Sequence, residues 1–278
     1  MRIGDVVVHV VSDGEFRSDG GGVFGLVPRV LWERYMQADS LHRVPLALNC
    51  LLIVSQGRRI LVDTGYGAKL PAERIEQCGL KRDGGVVGEL ARLGIGPDDI
   101  DVVVNTHLHS DHCGGNTLFR DGVLRPTYPN AEYWVQRIEW EEAQSPNERT
   151  RATYLPENLT PVEEQLHLLD GDTPVTSEVR CVVSRGHTHA HQSVIVESQG
   201  QHAIYMGEVA PLTMGLERLA WIAAFDVEPL ESLETRRRLR EWAFDHDAIV
   251  FFNHDVRCAA GRLRREGKRY HVDVVALD

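Results

Sequence analysis

The stretch VVVNTHLHSDHCGGN, residues 102–116, sets four side chains able to bind a metal, His107, His109, Asp111 and His112, within six positions directly after an apolar run. In an extended segment alternate side chains point the same way, so His107 and His109 can converge on one ion. Asp111 and His112 follow where the chain turns, and Gly114-Gly115 allows a tight bend there. Neutral imidazoles with a carboxylate suit zinc, iron, manganese or cobalt; thiolate chemistry is not indicated.

Working outward, three more apolar runs end in a metal-competent residue. SRGHTHAHQ (184–192) places His187 after a strand, IYMGEVAP (204–211) places Glu208 after another, and VFFNHD (250–255) places His254 after a third. Strands that each deliver such a residue at their ends are the pattern of loops gathered at one edge of a sheet sandwich. The crowd at 107–112 is then half of a two-metal site.

The rest of the chain supplies the frame. Strands are predicted at 3–11, 46–54 and 58–65, the last two joined by Ser-Gln-Gly as a hairpin. More are predicted at 101–105, 132–135, 178–184, 193–197, 202–206, 248–253 and 271–275. Helices are predicted at 30–36, 86–93 (halted by Gly94), 137–143 and 230–244. The polar segment 144–165, with Pro146, Pro156 and Pro161, reads as an irregular connection or lid. Strands interleaved with helices imply two packed sheets with helices outside, and residues 1–278 read as one domain. Segments 18–45 and 144–165 are expected to wall a pocket, with 20–36 open to a second use as a homodimer contact.

Composition bounds the partners. A formal charge of −11 argues against a general affinity for nucleic acid or an anionic membrane surface. The basic stretches TRRRLR (235–240) and GRLRREGKR (261–269) read as solvated faces. Five scattered cysteines without a C-x-x-C fit reduced thiols, no run is long enough for a membrane span, and no signal peptide is visible. The expectation is a cytoplasmic enzyme acting on a small-molecule substrate.

On THLHSDHCGG (106–115), LVDTG (61–65), GHTHAHQ (186–192), the Gly207-Glu208 step and NHD (253–255), the sequence resembles the metallo-β-lactamase-fold metal-dependent hydrolases. Within that superfamily it looks most like the quorum-quenching lactonase and small esterase branch. The resemblance implies an α/β fold, the αββα sandwich of two mixed sheets, and two divalent ions: zinc first, with manganese, iron or cobalt as the other choices. By position it implies His107, His109 and His187 on the first metal, and Asp111, His112 and His254 on the second, with Glu208 bridging. Asp63 and His191 would orient ligands from behind. The implied reaction is attack of a metal-bound hydroxide on a lactone or other small carboxylic ester, with Asp111 passing the proton to the leaving group. Two departures stand out. Glu208 replaces the family's usual aspartate, so it can bridge, bind one ion only, or leave the site. Pro211 stands where acyl-homoserine lactonases carry a tyrosine. The alternatives are a mononuclear iron enzyme like the persulfide dioxygenases, and a non-catalytic metal-binding member of the fold.

Overall fold

The computed structural model describes residues 1–277. The chain starts with β1 (Arg2–Ile3), β2 (Val6–Asp19), β3 (Arg43–Ser55), β4 (Arg58–Val62) and β5 (Val102–Val104). A small hairpin follows, β6 (Thr117–Arg120) and β7 (Val123–Pro126), then β8 (Glu132–Gln136) and β9 (Leu166–Leu169). The first sheet has the order β1-β2-β3-β4-β5-β8-β9, parallel from β4 onward. The second runs β10 (Thr173–Pro174), β11 (Val179–Val183), β12 (Gln192–Ser198), β13 (Gln201–Tyr205), β14 (Ile249–Phe251), β15 (Ala260–Glu266) and β16 (Arg269–Val274), in chain order. Only its β13–β14 pair is parallel among the described residues.

The layering follows from the side-chain period of two. Leu51, Ile53, Ile60, Val62, Val102 and Val104 face the second sheet, where Val194, Val196, Ala203, Tyr205 and Phe251 meet them. Between them, Leu52, Leu61 and Val103 turn outward onto Val86 and Leu90 of the helix Gly85–Arg92. On the far side Ile195, Ile204 and Val250 meet Leu239 and Ala243 of the helix Pro229–Asp245. Central strands covered on both faces read as unbroken apolar runs, as LALNCLLIV does. This is the αββα sandwich. The β3–β4 hairpin turns on Gln56 and Gly57, both at positive φ (53° and 76°), which suits the right-handed twist of the strands it joins.

Several elements differ from expectation. β2 extends to Asp19 because a bulge between Ser12 and Glu15 bends it along β3 instead of ending it. The basic stretch 261–269 forms most of the β15–β16 hairpin: Gly261 and Leu263 are buried, while Arg262 and Arg264 reach Asp247 at 2.8 and 2.7 Å. Its outward arginines masked an ordinary alternation. Segment 144–165 is more regular than predicted, with the helix Pro156–Leu159 and a 3₁₀ turn Thr160–Gln165 leading into β9. The helix expected at 30–36 is regular only over Arg29–Trp32, and turns carry the chain on to Met36. Phe24 stacks on Trp32 at 5.0 Å and meets Trp221 edge-on at 6.0 Å, fixing 20–36 against the loop after the second sheet's β13. Among the described residues no helix is long and apolar enough to cross a membrane.

Candidate metal centre and active-site cavity

Loops at the carboxyl ends of β4, β5, β11, β13 and β14 converge at one edge of the sandwich. Each histidine that arrives there is turned by a partner on its Nδ1. Asp63, at φ 59°, donates its N–H to the Val104 carbonyl and carries the carboxylate that meets His112 Nδ1 at 2.8 Å. The same carboxylate accepts the Thr106 N–H (2.8 Å) and hydroxyl (2.9 Å), so it also fixes the loop that carries His107. His254 donates Nδ1–H to the Ala47 carbonyl at 2.6 Å, and His187 Nδ1 lies 2.9 Å from Asp226. His107 Nδ1 is 3.0 Å from the Thr106 hydroxyl. Such contacts set the tautomer and leave Nε2 pointing inward. His109 is the exception, presenting Nδ1, which lies 3.0 Å from His187 Nε2.

Two groups of donors result. The ligand atoms of His107, His109 and His187 lie within 4.8 Å of one another, and so do those of Asp111, His112 and His254. The residues fit divalent cations. Nε2 of His107 and of His112 are buried with no hydrogen-bond partner, an arrangement that costs free energy unless a ligand satisfies them. Charge points the same way. Burial, and then the neighbouring imidazoles, hold His107 neutral and push His109 down to about 3. In the second group burial would also lower His254, but Glu208 and then Asp111 override it and raise the imidazole to about 9. The buried Glu208 and half-buried Asp111 carboxylates there require positive charge close by, and a divalent ion would supply it while leaving the imidazoles neutral.

Glu208 is buried and belongs to the second group's surroundings. Its Oε1 lies 2.9 Å from His254 Nε2 and 3.5 Å from His112 Nε2, and accepts a hydrogen bond from Asn253 at 2.6 Å. His191 sits beneath it, Nδ1 2.8 Å from the Ser184 hydroxyl and Nε2 accepting the Glu208 N–H at 3.1 Å. Gly207 explains the glycine-acid step: it has φ 55°, and a Cβ there would stand 2.5 Å from His191 Nε2. His189, by contrast, is exposed and pairs with Glu142 at 2.6 Å, away from both groups.

A cavity of about 450 Å³ opens over the two groups. Segment 18–45 contributes Ser18 and Val23 to its wall, and segment 144–165 contributes Arg149, Thr150, Ala152 and Thr153. Pro211 lines it as well. So does Tyr66, packed edge-on to Phe16 at 5.4 Å.

Four functional positions escaped the sequence reading. Asp226 lies in AAFDVEPL, where nothing marks an acid as the partner of a histidine 39 positions away. Glu139 is fully buried and accepts from the Leu108 N–H (2.9 Å), the Tyr154 hydroxyl (3.0 Å) and the Thr188 hydroxyl (2.5 Å), clamping the two histidine loops together. Arg236, counted among a solvated run, is buried and donates to the carbonyls of Val209 (2.5 Å) and Trp221 (2.6 Å). Tyr66 follows LVDTG directly, the one of the four that adjacency to a motif could have flagged.

Comparison with known proteins agrees with this geometry. The metallo-beta-lactamase superfamily model matches residues 43–254. The chain is 30% identical over 222 residues to an N-acyl homoserine lactonase of a Bacillus species, covering 74% of this chain and 80% of that one. A crystal structure of a probable metal-dependent hydrolase from Staphylococcus aureus superposes over the whole of both chains with a TM-score of 0.91 at 28% identity. AidC, described as a dizinc quorum-quenching lactonase in complex with a product, shares the fold with a TM-score of 0.84 at 17% identity, over 100% of this chain and 97% of its own. From the matched family model, the fold and the paired donor groups, the chain belongs to the metallo-beta-lactamase superfamily and is a metal-dependent hydrolase of that fold.

Proposed function

We propose that this enzyme opens a lactone or cleaves another small carboxylic ester, using two divalent ions, zinc first among them. His107, His109 and His187 would hold one ion; Asp111, His112 and His254 would hold the other. The observation that carries the reading is that two complete donor groups share one cavity whose remaining wall is largely apolar. The second group also weighs against a one-iron redox centre, which would leave Asp111, His112 and His254 without a task. The similarity to N-acyl homoserine lactonases supports a cyclic ester as the first substrate to try.

Two such ions would supply Lewis acidity, lowering the pKa of a bound water toward neutrality and stabilising negative charge that develops on the substrate oxygen. The chain's own groups do the rest. Asp111 lies 3.5 Å from His254 and 3.8 Å from His112; burial would raise its pKa, but His112 first and His254 next hold it well below the usual carboxylate range. It is therefore ionised, so it would first take the proton released by the attacking water and then pass it to the departing alkoxide. Tyr66 lines the cavity and keeps its proton, since burial and then the charge of Asp111 push its pKa well up, so its hydroxyl is available as a hydrogen-bond donor there. Glu208 draws His254 and His112 toward one point, its longer side chain fixed by Asn253. Phe16, Leu46 and Leu212 keep water from the acyl group.

The test is a panel of lactones and aryl esters assayed with elemental analysis of the same preparation. Two ions per chain, with turnover that His109→Ala abolishes, is the expected result. One iron per chain with oxygen uptake, or full activity in His109→Ala, would sink the reading.

A further inference from the structure

The cavity has a polarity that the ester reading alone does not require. Its floor is the buried histidine groups with Asp111 and Glu208, the two acids that line it among the described residues. Its apolar lining includes the buried Phe16, Leu46 and Leu212, with Val23 and the exposed Phe225. At the solvent end stand two exposed arginines from different segments: Arg74, on the helix Ala72–Cys78, and Arg149.

Neither arginine is spent on an acid. Among the described residues no carboxylate lies within 4.0 Å of either guanidinium; other exposed arginines, such as Arg34 and Arg125, are unpaired too, but Arg74 and Arg149 are the two that line the cavity. Arg74 makes one long hydrogen bond, to the Gln77 side chain at 3.3 Å. Arg149 uses one nitrogen, Nη2, for the carbonyls of Ala224 (2.6 Å) and Asp226 (3.1 Å), which fixes the guanidinium at the cavity wall. In a chain of net charge −11, an anion has little reason to approach except where local positive charge is left uncompensated. Guanidinium forks are also the groups best matched to a carboxylate.

We propose that the substrate is a carboxylate-bearing ester or lactone, its reacting carbonyl over the metal groups, its apolar chain along the apolar lining, and its carboxylate read by Arg74 and Arg149. The inference rests on the ester-hydrolase reading and adds the class of acid it takes.

A matched pair of probes tests it: 4-nitrophenyl hexanoate and the 4-nitrophenyl monoester of adipic acid, equal in length and differing by a terminal carboxylate. The readout is the ratio of their kcat/KM values within each variant, which a general loss of folded or metal-loaded protein does not move. Wild type should favour the adipate ester. Arg74→Ala should lower the ratio about tenfold, the low end for a charge-assisted hydrogen bond, and Arg74→Glu should invert it. A ratio that neither substitution changes overturns the proposal. If neither ester is cleaved, the hydrolase reading fails separately, and calorimetric titration with adipate decides the inference. Binding that Arg74→Glu abolishes upholds it; no binding to wild type overturns it.

Discussion

Asp226 Oδ1 lies 2.9 Å from His187 Nδ1, and both side chains are buried. The contact turns His187 Nε2 toward His109, completing the first donor group. Burial would lower the His187 pKa, and Asp226 first, together with Glu208, more than offsets it; the contact with Asp226 makes the ring a better donor to a cation. Asp226→Asn should therefore lower metal affinity about ten- to a hundredfold. Competition with a chromophoric chelator would measure it. An affinity within twofold of wild type would show that the loop, rather than the carboxylate, holds the ring.

Gly207→Ala should damage the site without touching a ligand. The residue sits at φ 55°, which costs an L-residue on the order of 1–2 kcal/mol, and its Cβ would collide with the ring that accepts the Glu208 N–H. The expected outcome is a loss of about 2 kcal/mol in urea unfolding together with reduced occupancy of the second group. Unchanged unfolding would mean that His191 can move aside freely.

Arg236 ties two loops together: Val209 follows Glu208, and Trp221 opens the segment that ends in Asp226. Its guanidinium is buried, so removing it leaves two carbonyls unpaired and Asp226 without a nearby cation. Arg236→Met is expected to cost about 3 kcal/mol or more and to weaken both metal positions, with Arg236→Lys restoring part of the loss. If Arg236→Met binds metal like wild type, the tie is dispensable.

Lys69 donates to the carbonyls of Gly114 and Thr117, just past the H-x-H-x-D-H loop. Burial lowers its pKa to about 8, from 10.5 in an open chain. Below about 8 the folded protein carries a charge that burial penalises. Between about 8 and 10.5 the unfolded chain binds more proton than the native one, so this group makes unfolding free energy rise with pH across that window. Urea titrations at fixed metal concentration should show Lys69→Met losing that rise. Parallel pH profiles for the two proteins would refute it.

What the sequence determined by itself was local. H-x-H-x-D-H needs only the alternation of an extended chain followed by a turn to bring its members together, and the apolar runs before His187, Glu208 and His254 mark strand ends by composition alone. The runs also disclosed the sandwich, since strands covered on both faces cannot alternate. The last strand was legible at 271–275, within a residue or two of β16, but charge hid β15: its arginines face water, and the buried partners between them include a glycine.

The tertiary structure decided everything that depends on a carbonyl, a carboxylate or a free side chain arriving from elsewhere. Asp226, Glu139 and Arg236 are ordinary polar residues in their own segments, and they matter because of the histidine, amide or carbonyl that folding sets within 3 Å of them. The direction of Glu208 is of the same kind. Its extra methylene is a fact of sequence, but Asn253 and His254 draw its Oε1 to the second group, a preference set by packing across strands that the order of residues does not contain.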